Sequence, residues 1–150
     1  MLFKTHLIIT LFFSLLLFPF VENLLVFFIV AMISTCLPDI DSKFSVIGRK
    51  KTFRIIQLFT KHRGIFHSFS FLIVLGLILY FYFPLIWVGF CLGYGLHLLA
   101  DCFTKRGLRV FYPLSFKIKG FIKSGGYFET FIFVVFLLGS LFLIFYRFLL

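Results

Sequence analysis

The sequence predicts an all-α integral membrane protein: one domain, residues 1–150, folded as a bundle of about five hydrophobic helices with a metal site at their cytosolic ends. Three observations predict it. Apolar runs of helical length are spread along the whole chain. Only 13% of the 150 residues are charged while 62% are hydrophobic, too little polar surface to cover a soluble globule. Nearly all histidines and carboxylates fall at one set of run ends.

The runs are Leu7–Val21, Leu24–Leu37, Ile65–Phe83, Leu85–Ala100 and Phe128–Phe145. None shows the strict alternation of a membrane β-strand, so all five read as helices. Lys4 followed by the run from Leu7 imitates a signal peptide, but no small-residue cleavage site follows, and the run is expected to be retained. At about 1.5 Å per residue the first two runs fall short of a roughly 30 Å hydrocarbon core, which leaves open a buried hairpin in place of two full spans. Glu22-Asn23, Pro38, Pro84 and Gly125-Gly126 mark the boundaries. There is no internal repeat.

Basic residues orient the bundle. Lys43, Arg49, Lys50, Lys51, Arg54, Lys61 and Arg63 lie between the second and third runs; Lys105, Arg106, Arg109, Lys117, Lys119 and Lys123 lie between the fourth and fifth. With Lys4 on the same side, the positive-inside rule puts the N-terminus and both long loops in the cytosol, and leaves Glu22-Asn23, Pro84 and Arg147 outside. The protein is thus expected to be a multi-pass protein of the cytoplasmic membrane, with the lipid bilayer as its partner. The formal charge of +10 follows from those loops. They lack an aromatic stacking platform, so no nucleic acid is expected. In the first loop, Phe53, Ile56 and Phe59 recur at helical spacing between Lys51, Arg54, Gln57 and Lys61, the pattern of a short helix lying on the membrane surface. Cys36, Cys91 and Cys102 are far apart with no CxxC spacing, so no disulfide framework is implied.

The orientation uses Lys and Arg alone, which makes the histidines and acids an independent observation. Eight of those nine groups (His6, Asp39, Asp41, His62, His67, His97, Asp101 and Glu129) fall near the cytosolic run ends, and Glu22 alone lies outside. An Asp inside a span costs roughly 2.5 to 3.5 kcal/mol on insertion scales, so the clustering calls for a partner. His97 and Asp101, four residues apart, share one helical face, and Gly89, Gly93 and Gly95 before them admit a close neighbour. Asp39 and Asp41 follow a helix C-terminus, where the macrodipole disfavours negative charge. His62 and His67 stand about 140° apart on an ideal helix and converge only if His62 precedes it, a break that Gly64 permits. Ser68 reads as the N-cap of that helix. Glu129 opens the last helix, where a carboxylate is favoured. Imidazole and carboxylate without paired thiolates suit a divalent metal, zinc first, with manganese or iron as alternatives.

Together, Leu37-Pro38-Asp39-Ile40-Asp41, His62-Arg63-Gly64 with His67-Ser68, and His97-Leu98-Leu99-Ala100-Asp101 with Thr104, Gly107 and Pro113 resemble the YdjM-type family of membrane-bound, metal-dependent hydrolases. Order and spacing agree over roughly residues 5–130, with His6 and Glu129 at positions the family also keeps polar. The family is distantly similar to zinc-dependent phospholipase C and single-strand nuclease folds, which hydrolyse phosphodiesters. Those secreted enzymes use an N-terminal Trp as a metal ligand, and the only Trp here is Trp87. The resemblance implies a hydrolase in which a divalent ion activates water, Asp41 or Asp39 steers that water, and Arg63 clamps a phosphate through its planar fork. A site at headgroup level points to a phospholipid or another lipid-linked phosphate as substrate. The alternative is a non-enzymatic membrane protein whose His and Asp groups bind an ion for transport or for holding the bundle together.

Overall fold

A computed structural model describes residues 1–41 and 64–149. His62, Arg63 and the candidate surface helix around Phe53, Ile56 and Phe59 lie outside the described residues. Those described contain five α-helices: α1 (Phe3–Leu17), α2 (Leu24–Cys36), α3 (Phe69–Tyr82), α4 (Pro84–Cys102) and α5 (Tyr127–Leu149).

The first two runs are longer in the structure than their hydropathy suggests. α1 begins at Phe3, taking in the polar Lys4, Thr5 and His6, and continues through a 3-10 turn at Phe18–Phe20. α2 continues through a second 3-10 turn at Pro38–Asp41. The segments Phe3–Phe20 and Leu24–Asp41 are therefore long and apolar enough to cross a membrane, as are Pro84–Cys102 and Tyr127–Arg147. The short helix is instead α3. Its 14 residues rise only about 21 Å, because the run from Ile65 spends its first residues on a 3-10 turn, Ile65–His67, and then on Ser68 in extended backbone. As the spacing predicts, Ser68 is the N-cap: its hydroxyl accepts the Phe71 N–H at 3.3 Å. Pro84 occupies the first turn of α4, where its missing N–H costs nothing.

α2 packs against α4 and α1 against α5, with α3 laid on α4. Successive helices alternate in direction, so the start of α1, the end of α2, the start of α3, the end of α4 and the start of α5 meet at one end of the bundle. Gly89 and Gly93 make the α2–α4 contact possible. A Cβ on Gly93 would lie 2.0 Å from the Ala31 carbonyl oxygen, and one on Gly89 would lie 2.7 Å from that of Phe27. Gly95 makes no such approach, since its Cβ would rest 3.7 Å from Leu72. Phe90, Tyr94 and Leu98 of α4 form the main core with Leu108 and Val110, and the Tyr94 hydroxyl donates to the Phe66 carbonyl.

A two-residue antiparallel hairpin, β1 (Leu108–Arg109) with β2 (Lys117–Ile118), connects α4 to α5. It makes physical sense of two motif residues. Thr104 Oγ1, fully buried, donates to the Asp101 carbonyl at the end of α4, at 2.8 Å, alongside its own N–H at 3.1 Å. Gly107, at φ +61°, turns the chain where a Cβ would lie 2.0 Å from the Ile118 oxygen.

Overpacking of a close helix contact typically costs about 1–3 kcal/mol. Gly93→Ala should therefore lower the thermal unfolding midpoint of the detergent-solubilised protein, while Gly95→Ala leaves it near wild type; equal midpoints for the two variants would contradict the close approach.

Candidate metal centre

His97 is the best-defined member of the site. It is 1% exposed, and its Nδ1 lies 2.8 Å from the Thr35 carbonyl oxygen, an atom that can only accept. Nδ1 must then carry the proton, which leaves the Nε2 lone pair facing inward. Among the described residues Nε2 has no hydrogen-bond partner. The Thr35 carbonyl belongs to the last turn of α2, and Pro38, three residues on, has no N–H to offer it.

His67 is likewise buried. Its Nδ1 donates to Asp41 Oδ2 at 3.2 Å, and its Nε2 faces Asp39 Oδ1 at 3.8 Å. One donor atom each from Asp39, His67 and His97 falls within a 4.8 Å span. Tetrahedral zinc with bonds of roughly 2.0–2.2 Å holds its ligand atoms about 3.4 Å apart, so these side chains would have to close inward around an ion. Two orienting acceptors, the Thr35 carbonyl and the Asp41 carboxylate, aim the imidazoles in the manner common to metal-ligating histidines.

His6 and Asp101 stand alongside. The His6 ring stacks on His97 with centroids 4.0 Å apart and planes 9° from parallel. Its Nε2 lies 3.6 Å from Asp101 Oδ1, and its buried Nδ1 is a second ring nitrogen without a hydrogen-bond partner among the described residues. Asp101 Oδ1 also pairs with the Met1 ammonium at 2.6 Å. The N-terminal group thus sits in the site, which no side-chain motif announces. Glu129 is 1% exposed and holds two backbone amides, Leu2 N–H at 2.5 Å and Gly125 N–H at 2.6 Å. It anchors the start of the chain to the start of α5. Cys36, Cys91 and Cys102 are unpaired.

Two buried ring nitrogens, His97 Nε2 and His6 Nδ1, thus have no hydrogen-bond partner among the described residues, and burying such groups unpaired is expensive. The donor set of imidazole and carboxylate fits a divalent ion such as zinc.

The comparisons bear on identity. The model of the YdjM inner membrane protein family matches residues 1–149. The chain belongs to the YdjM inner membrane protein family. It is also 27% identical over 103 residues to the uncharacterized protein YvsG of Bacillus subtilis (strain 168), a match covering 65% of this chain and 64% of that protein. The chain thus aligns with less than two thirds of that relative. No solved structure matches. Membership makes this an inner membrane protein, its described residues include a His/Asp group that could hold a metal ion, and the family description names no activity.

If the three-residue group and its neighbours hold metal, His97→Ala and Asp39→Ala should each lower the zinc or manganese content of the purified protein, measured by elemental analysis. Glu22→Ala, in the turn before α2, should not. Glu129→Gln should destabilise the fold by about 1–3 kcal/mol through its backbone contacts while keeping most of the metal. A His97→Ala protein with full metal content would remove His97 from the ligand set.

Proposed function

We propose that this protein is a membrane-bound, metal-dependent hydrolase that cleaves a phosphoester or phosphodiester in a lipid or lipid-linked substrate. The observation that carries the reading is the buried His97 Nε2, its tautomer fixed by the Thr35 carbonyl, beside Asp39 and His67. A divalent ion bound there, zinc or else manganese or iron, would lower the pKa of a water towards about 7 and polarise a phosphoryl oxygen.

The chain's own residues divide the remaining work. Asp41 holds the His67 ring through Nδ1 and is itself only 3% exposed, so it positions rather than meets substrate. Asp39, with its side chain 19% exposed, is the more open carboxylate and the better placed to orient a water. Arg63, directly before Gly64 in the chain, supplies a planar fork suited to a phosphate. Lys105, Arg106, Lys119 and Lys123 lie on the connection that closes the same end of the bundle and would favour an anionic headgroup. That end faces the cytosol in our reading, because Lys4 and all the basic residues of that connection collect there while Arg147 stacks over Phe18 at the other end.

Topology reporters should place Lys117 in the cytosol and the C-terminus outside; the reverse would move the site to the opposite leaflet. For the chemistry, a chelator should abolish cleavage of phospholipid or lipid-linked phosphate, and added zinc or manganese should restore it. Asp41→Asn should weaken metal binding by about 10–100-fold, the usual effect of losing an orienting partner, and Arg63→Lys should slow turnover with metal content unchanged. If metal-loaded protein cleaves no phospholipid, lipid-linked phosphate or generic diester in a manner lost in Asp39→Ala and His97→Ala, the site is a structural ion-binding site instead.

A further inference from the structure

Two open apolar grooves, about 670 and 450 Å³, flank the C-terminal end of α4. Leu99, Phe103 and Phe121 line both, so a single ridge separates them. These side chains are 48%, 54% and 66% exposed. The ridge is nonetheless held firmly from behind. The Ile122 N–H donates to the Phe103 carbonyl and the Gly120 N–H to that of Thr104, each at 3.0 Å. A Cβ on Gly120 would lie 2.1 Å from the Phe103 oxygen, so the connection after the hairpin lies directly on the end of α4.

The smaller groove starts beside Asp101. Its wall includes Met1, whose ammonium pairs with Asp101, and Ala100, the residue before Asp101. It then runs between α1 and α5 past Ile9, Ile132 and Phe136. The larger groove lies across the ridge, against Phe69 and Ile73 of α3, with Lys119 in its lining. Both open beside helices that cross the bilayer, where the available occupant is hydrocarbon, and each has the volume of a ligand site, roughly 300–1,000 Å³.

We propose that the grooves receive the two hydrocarbon tails of one phospholipid, which straddles the Leu99, Phe103 and Phe121 ridge with its phosphate turned toward the metal centre. The shared wall carries the count of two, because a single-tailed lipid would fill one groove and leave the other to unrelated chains. Charge carries the headgroup. Lys119 in one lining, with Lys105, Arg106 and Lys123 on the same connection, offers positive charge at the ridge, while the carboxylates of the site would repel a bare anion without it. The inference deepens the hydrolase reading by naming the substrate class, and it rests on that reading only for what happens to the lipid after binding.

The test measures binding without turnover. The full chain, held in detergent with EDTA, is offered phosphatidylglycerol or its single-tailed lyso form, and retained lipid is read by native mass spectrometry. Wild type should retain the two-tailed lipid at least about tenfold better. Leu99→Trp, which crowds both grooves from an exposed position, should erase most of that retention. Ile73→Trp and Ile132→Trp, each facing one groove, should reduce the two-tailed lipid to the level of the lyso form. The thermal unfolding midpoint of each variant, measured in the same detergent, controls for folding. Equal retention of the two lipids, indifference to Leu99→Trp, or cross-linking of two copies through Phe121 would overturn the proposal. Because no cleavage is involved, an inactive protein that keeps the two-tail preference would sink the hydrolase reading alone, and an active one without the preference would sink the straddling alone.

Discussion

The carbonyl of Thr35, in the last turn of α2, accepts the His97 Nδ1 proton, and this is the contact on which the geometry of the site depends. It exists only because α2 and α4 approach to backbone distance at Gly89 and Gly93. Ser34 lies at the same crossing, its hydroxyl bonding the carbonyls of Ala31 and Gly89. The hydroxyl of Thr35 donates to Ala31, so the 2.8 Å bond between Thr10 and Thr35 must be donated by Thr10. That bond draws α1 onto the same point and brings His6 over His97. One crossing thus sets the tautomer of one imidazole, the stacking of a second and, through the helical spacing from His97, the place of Asp101.

This arrangement suits a bundle in a bilayer. Between helices surrounded by lipid the hydrophobic effect offers little, so close packing and interhelical hydrogen bonds must hold them together. Here many of those bonds are concentrated at one end. Asp101 binds the Met1 ammonium, Glu129 holds the Leu2 and Gly125 amides, and Asp41 holds His67. The other end presents Phe20, Phe81, Tyr82 and Phe83, well exposed and suited to lipid contact. A carboxylate that would cost several kcal/mol alone in a span becomes a fastener once paired. Fold and centre therefore share residues, and stability and metal content have to be read separately in any variant.

Much of this was legible in the chain. Hydropathy marks the five helices, and the i, i+4 spacing of His97 and Asp101 does put both side chains against His6, because a four-residue step survives any choice of helix boundary. Boundaries themselves were harder. Polar Lys4, Thr5 and His6 hide the start of α1 from a hydropathy reading, and apolar Ile65 and Phe66 disguise a 3-10 turn as helix. The hairpin of Leu108–Arg109 with Lys117–Ile118 has strands of two residues, too short for any periodicity to register. Backbone groups were beyond reach altogether: neither the Thr35 carbonyl nor the Met1 amine carries a sequence signal, since both act through position and not through side-chain type.

The candidate ligands separate once the second atom of each is followed. Glu129 has both oxygens on backbone amides, so it serves the fold. Asp41 is committed to His67, and Asp101 to the Met1 ammonium with His6 beside it. Asp39, His67 and His97 then remain as the group whose donor atoms converge. Each imidazole in that group is held at Nδ1 by an acceptor from the end of α2, one a backbone carbonyl and the other a carboxylate, which leaves Nε2 as the ring atom that could take a metal in both. The end of α2 thereby sets the orientation of ligands carried by the segment before α3 and by α4. It also contributes Asp39, the third member of that group, from its own 3-10 extension. A segment that leaves its helix just before Asp39 can do all three, because its last helical turn presents a carbonyl to one ring while its 3-10 extension brings carboxylates to the other.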